Sequence, residues 1–140
     1  MTPLPANNAF ARAPIKWVFA TAFVASICIG VYYRDLLRAS VTRNPIPRSS
    51  QSIERGRVLF HQYCEACHGP GGIGDGPAAA FLPKRPKDLT RIAPTPYFPD
   101  GVVAYRIANG KGPMPAWKTV LSVDDIWDLI NFVRSLHRQE

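Results

Sequence analysis

Cys64-Glu65-Ala66-Cys67-His68 is the stretch on which the reading of this chain turns. Two thiols lie three residues apart, and an imidazole follows at once. On a tight helical turn the two sulfurs can reach two vinyl groups on one edge of a porphyrin. The imidazole then lies under the iron as proximal ligand. Cys-x-x-Cys-His is therefore read as the attachment site of one covalently bound haem c, held by Cys64, Cys67 and His68. Two rival chemistries share the spacing. Zinc requires two more ligands, and only His61 and His137 remain. A thioredoxin-like dithiol requires a strand before the motif, whereas a helical pattern precedes it.

The segments around the motif read as helices and loops, and no strand pattern or internal repeat stands out. Ser52 to Tyr63 is a helix with Ile53, Val58, Leu59 and Phe60 on its apolar face and Gly56 as a small position. Residues 69–77 form a glycine-rich loop. Gly69-Pro70-Gly71-Gly72-Ile73-Gly74 matches G-x-G-x-x-G by composition, but it follows no strand, so a nucleotide site is set aside. Residues 81–100 hold five prolines and cannot stay regular for long. Val102 to Ala108 is a short helix ended by Asn109-Gly110. Ser122 caps a last helix running to about His137, with Asp124 and Asp125 near its start and Arg134, His137 and Arg138 near its end.

The N-terminal part has a different composition. Residues 1–14 hold three prolines and read as a loose tail. Residues 15–37 read as a transmembrane anchor. Trp17 to Tyr33 contains no charge, and its 17 residues span about 25 Å as a helix, at the short end for a bilayer. Trp17 and Tyr32-Tyr33 are placed as interfacial aromatics. A cleaved signal peptide fits less well, because no small-residue site follows the apolar run. Residues 38–51 read as a linker stiffened by Pro45 and Pro47, and residues 52–140 as the globular domain. Cys28 reads as a small apolar filler, since Ile27 before it does not suit lipid attachment.

Charge separates the same two parts. The chain has 17 Lys and Arg against 10 Asp and Glu. Residues 1–50 hold six of these bases and Asp35 alone among acids, so most of the excess lies beside the apolar run. That arrangement suits a membrane surface, and no nucleic-acid motif is present. Three cysteines are too few for a disulfide scaffold.

Residues 52–137 resemble a class I cytochrome c domain. The resemblance rests on Gly56-x-x-x-Phe60, Cys64-x-x-Cys-His68, Gly76-Pro77, Met114-Pro115 and Leu129-x-x-Phe132, in that order. It implies a helical cytochrome c domain, so that with the apolar segment read above the chain is all-α: an N-terminal transmembrane helix, then the cytochrome c helical domain. It also implies that Phe60 packs against Leu129 and Phe132 where Gly56 lets two helices approach. The Pro77 carbonyl is implied as acceptor of the His68 Nδ1–H. The sixth iron ligand follows by elimination as well. Beyond the initiator, Met114 is the only methionine, and Pro113 and Pro115 fix its backbone. Leu82, Leu89, Ile92 and Trp117 are expected to wall the haem, and Tyr105, Arg106 or Trp117 to bond a propionate. Lys84-Arg85-Pro86-Lys87 is a basic patch, either a solvated loop or a dock for an acidic partner.

The expectation is one-electron transfer by a membrane-anchored monohaem cytochrome c with His68 and Met114 as iron ligands. Haem attachment to such a motif places the domain in the periplasm of a bacterial inner membrane, single-pass. The flanking charges run against that orientation, since more bases follow the span than precede it. The alternative is the electron-entry or exit subunit of a larger membrane respiratory or dehydrogenase complex. The expected partners are the membrane and redox proteins, with no nucleic acid and no small-molecule substrate. A haem enzyme or gas sensor would need an open sixth site, which Met114 occupies in this reading.

Overall fold

A computed structural model describes residues 15–92 and 98–136. The tail read over residues 1–14 and the helix-end His137 lie outside the described residues. The chain divides into two units, Met1–Asp35 and Leu36–Glu140.

The first unit is the greater part of helix α1, Ile15–Val41. Its apolar side chains are exposed, with Trp17, Phe19 and Phe23 each about two-thirds accessible. Its hydroxyls bond within the helix: Thr21 donates to the Val18 carbonyl at 3.0 Å and Ser26 to the Ala22 carbonyl at 2.9 Å. Trp17–Val41 is long and apolar enough to cross a bilayer, by length and composition. The helix continues past residue 37 because no glycine or proline interrupts it before Pro45.

The second unit is built on two crossing helices, α2 (Ser50–Tyr63) and α5 (Val123–Ser135). Gly56 sets their approach. A Cβ there would lie 2.1 Å from the Asp128 carbonyl oxygen, which no side chain tolerates. Close contact lets the Phe60 and Phe132 rings meet with centroids 5.1 Å apart. Phe60, Leu129 and Ile130 are fully buried, and each contributes about 1.5–3 kcal/mol by leaving water. Between the helices lies α3, Glu65–His68, followed by two 3-10 turns at Pro77–Phe81 and Leu89–Arg91. Helix α4, Asp100–Asn109, packs on α5. It begins earlier than Val102, with Pro99 as an extended N-cap residue (ψ 154°) and Asp100 in the first turn, where a carboxylate suits the helix dipole. Ser122 caps α5 and forms a full capping box with Asp125. Among the described residues the sole β feature is a bridge between Lys111 and Met114.

The stretch read as a linker over residues 38–51 is largely part of this unit. Ala39 is buried, and the Gly101 N–H donates to the Thr42 carbonyl at 3.1 Å. Asn44 donates through Nδ2 to the Trp127 carbonyl and to Asn131 Oδ1, both at 3.0 Å. Asn131 Nδ2 in turn donates to Ser52 Oγ at 2.7 Å. Ser52 donates to Asp128, whose carboxylate also takes two hydrogen bonds from Arg55 at 2.6 and 2.9 Å. Buried Ser52, Asp128 and Asn131 are thus paired through one network, which is what a buried carboxylate requires. Helix α2 starts at Ser50 because the Ser49 hydroxyl accepts from the Ser52 N–H and serves as its cap.

Candidate functional site

The attachment motif lies where α2 ends. Cys64 closes α2 by donating its N–H to the Phe60 carbonyl at 2.9 Å. Its own carbonyl accepts from the Cys67 and His68 N–H groups at 3.2 and 2.9 Å, which winds the next turn. Cys64 and Cys67 are half-buried free thiols. Burial, reinforced by the neighbouring Cys67, pushes the Cys64 thiol up to about 12, so it remains S–H at neutral pH.

His68 is half-buried, and its Nδ1 lies 3.2 Å from the Lys87 carbonyl oxygen. Burial lowers its pKa, while that hydrogen bond works in the opposite direction. The neutral ring therefore carries its proton on Nδ1 and presents the Nε2 lone pair. Here the carbonyl facing Nδ1 is that of Lys87; the resemblance implies the Pro77 carbonyl for this role. Pro77 opens a 3-10 turn, in which backbone carbonyls point along the turn toward its own N–H groups.

The glycine-rich loop brings Lys87 into place. The Gly74 N–H donates to the His68 carbonyl at 2.8 Å, and the Leu89 N–H to the Gly72 carbonyl at 2.7 Å. Gly74 has φ +81°, and a Cβ there would lie 2.4 Å from the Pro86 carbonyl oxygen. Only glycine lets the Pro86–Lys87 backbone come this close. Arg85 adds a bond from Nε to the Gly74 carbonyl at 3.0 Å.

Met114 occupies a tight loop after α4. Lys111 and Met114 exchange backbone hydrogen bonds at 3.1 and 3.2 Å. The Trp117 N–H returns to the Ile107 carbonyl, and Lys118 to the Ala108 carbonyl, both at 3.1 Å. Met114, Trp117, Tyr63 and Cys64 all pack as half-buried groups against the same core cluster. Tyr63 and Trp117 touch with ring centroids 5.2 Å apart. The residue before the attachment turn and the residue three after Met114 are thus in ring contact.

The other expected residues divide. Leu89 packs against the core and Ile92 is buried, while Leu82 is half-buried. Tyr105, Arg106 and Trp117 do not gather. Tyr105 lines a groove of about 250 Å³ with Ala39, Thr42 and Trp127. Arg106 lies over the Phe98 ring, and Trp117 is against Tyr63. His61 pairs with Glu65, one turn along. Two of the three cations in the basic patch have structural work: Arg85 holds Gly74, and Lys87 Nζ lies 3.9 Å from the Phe98 ring centre. One residue escaped the sequence reading. Arg134 is buried and donates to the Ile92 carbonyl at 2.7 Å, the Phe98 carbonyl at 2.5 Å and Asp100 at 2.9 Å. Its signal was its register: it follows Ile126 and Ile130 at steps of four on the buried stripe of α5.

The donor set fits a haem c. It offers two unpaired thiols on one turn, an imidazole with Nδ1 engaged, and a half-buried thioether packed against the same core cluster. The comparisons point the same way. A family profile described as cytochrome c oxidase, cbb3-type, subunit III, matches residues 51–133. The cytochrome c6 of Euglena gracilis is 36% identical over 84 residues, covering 56% of this chain and 85% of that protein. The cytochrome c6 of Cladophora glomerata is 35% identical over 88 residues, covering 60% and 88%. Among solved structures, a chain of a reducing HAO-like protein complex from Kuenenia stuttgartiensis superposes with a TM-score of 0.59 and 29% identity. The match covers 67% of this chain and 47% of that one, so this chain spans about half the length of that structure.

Proposed function

The chain belongs to the family described as cytochrome c oxidase, cbb3-type, subunit III, and on that premise we propose a membrane-anchored monohaem cytochrome c whose iron would be held by His68 and Met114. It is an electron carrier with one covalent haem c, not an enzyme. The haem supplies an iron that cycles between ferrous and ferric states, one electron at a time. The chain supplies the rest. Cys64 and Cys67 would hold the macrocycle through thioether bonds. His68 would hold the iron through Nε2, and the Lys87 carbonyl would orient its ring and strengthen it as a donor. Met114 would supply a thioether, which favours the reduced state and raises the potential. Leu89, Ile92 and Trp117 exclude water.

The observation that carries this reading is the His68 Nδ1–Lys87 carbonyl bond on the turn that bears both thiols. It fixes the tautomer that an iron ligand needs. The test is optical. The reduced chain is expected to show the sharp bands of low-spin haem c and to bind no carbon monoxide at neutral pH. Broad high-spin bands or rapid carbon monoxide binding would overturn the ligation.

The anchor is read at residues 15–37, in a bacterial inner membrane with the haem domain in the periplasm. Its support is the exposed apolar surface of α1 and the hydroxyls of Thr21 and Ser26, each satisfied within the helix as lipid requires. Carbonate-resistant membrane association and protease access from the periplasmic side test both claims.

A second reading has its own support. A fixed subunit of a larger membrane oxidoreductase needs no slack beside its haem domain. The bonds of Asn44 and the packing of Ala39 remove slack from residues 39–47. Stoichiometric co-purification after mild detergent extraction identifies a subunit. Recovery of the chain alone identifies a free carrier.

A further inference from the structure

Phe81 is 88% exposed, although large aromatic side chains elsewhere in the second unit, such as Phe60, Trp127 and Phe132, are buried. One exposed apolar residue is ordinary on a protein surface. The setting of this one is not. Phe81 ends the 3-10 turn Pro77–Phe81, which starts on a proline and packs against α3, the helix of Cys67 and His68. The Gly76 N–H ties the start of the turn to the Cys67 carbonyl at 3.2 Å. The end is closed by the Leu82 N–H on the Ala79 carbonyl at 3.3 Å. Phe81 is therefore held out from a braced base, so little side-chain or loop freedom remains to be lost on contact.

The chain that follows is basic. Lys84, Arg85, Lys87 and Arg91 are all exposed, against Asp88 alone among acids between residues 77 and 92. Asp88 accepts from the Thr90 N–H and hydroxyl at 2.9 and 2.6 Å, so its carboxylate is drawn into the local backbone.

We propose that Phe81, flanked by Lys84 and Arg85, is the anchor by which a redox protein with an acidic, apolar-centred face docks beside the haem-attachment turn. The proposal rests on the electron-carrier reading above. An aromatic anchor ringed by charge is the usual anatomy of a specific protein interface. The flanking cations steer an acidic partner and orient it. A lipid surface fits less well, since one aromatic and a few cations give only marginal membrane binding. In the docked pair one electron leaves the ferrous haem, which becomes ferric, and one centre of the partner is reduced. No proton or bond changes hands.

The probe is a membrane preparation from cells lacking this chain, mixed with the purified full-length chain reduced beforehand. Haem oxidation is followed optically at several salt concentrations. Phe81→Ala is expected to slow the second-order rate about tenfold at low salt. Phe81→Trp keeps the rate. Lys84→Glu slows it and flattens its salt dependence. All three retain the reduced low-spin spectrum and the Tm of the unaltered chain, because both positions are exposed. Loss of that spectrum in the unaltered chain would sink the carrier reading instead. An unchanged rate and salt response in Phe81→Ala overturns the dock. So does Phe81-dependent co-sedimentation with vesicles of phosphatidylcholine and phosphatidylserine, which would make the patch a lipid contact.

Discussion

Replacing Met114 with Ala removes the thioether proposed for the sixth position. The reduction potential is expected to fall by on the order of 100 mV or more, with high-spin or substitute-ligated bands. An unaltered spectrum and potential would place the ligand elsewhere. Gly74→Ala acts on the opposite ligand without touching it. The new Cβ meets the Pro86 carbonyl at 2.4 Å in a left-handed backbone, so the Lys87 carbonyl must shift from His68. A less electron-rich imidazole favours ferric iron less. Redox titration should therefore show a higher potential, beside a stability loss of about 1–3 kcal/mol. His68 also predicts an acid response. Burial lowers its folded pKa, so the unfolded chain takes up the proton first as pH falls. Its contribution to stability is complete above the ordinary value of about 6.5 and is lost as pH falls further. Denaturant titrations of the haem-free chain at a series of pH values should show stability level above about 6.5 and falling below it. At this scale the thiols and the imidazole were legible as letters. The Lys87 acceptor was not, because a backbone carbonyl leaves no mark on the residue that carries it.

Helices α2 and α5 decide the stability of the second unit. Alanine is intrinsically better than glycine within a helix by about 0.5–1 kcal/mol. At position 56 packing overrides that preference. The added methyl would lie 2.1 Å from the Asp128 carbonyl oxygen, and backbone cannot yield cheaply. Gly56→Ala is expected to destabilise by about 2–3 kcal/mol in denaturant titration, despite the gain in propensity. A gain in stability would show that the helices can separate without loss. The element boundaries were readable to within two residues wherever a side chain caps or stops a helix. Ser122 with Asp125 and Asn109 with Gly110 are examples. The pairing of α2 with α5 was carried by Gly56, Phe60, Leu129 and Phe132. Arg134 was misread because a cation in a last helical turn ordinarily answers the helix dipole from the surface. Here it turns inward to three oxygen acceptors that come from distant sequence.

Over the whole molecule, the main departure from sequence reasoning is the segment before α2. Asn44, Pro45 and Pro47 have linker composition, and composition does not reveal that Asn44 reaches Trp127 and Asn131 across more than 80 residues. This gives a prediction about the intact chain. Arg43 and Arg48 are exposed and would be quick tryptic sites in a slack tether. They should be cut slowly here, because cleavage requires this stretch to detach. Asn44→Ala should accelerate cutting at both and lower Tm, while leaving the haem spectrum intact. Rapid cutting of the unaltered chain at Arg43 would show that the Asn44 bonds do not hold.

Lys87 divides its labour in a way that matters for descent. Its carbonyl faces His68, whereas its ammonium reaches outward over Phe98. A codon change at 87 alters the outward part and retains the carbonyl, provided the backbone path is kept. Lineages carrying this arrangement can drift in surface charge, and so in their choice of acceptor, while the proximal hydrogen bond is inherited unchanged. Affinity for new partners and the tuning of the iron are therefore free to evolve on separate schedules at a single position.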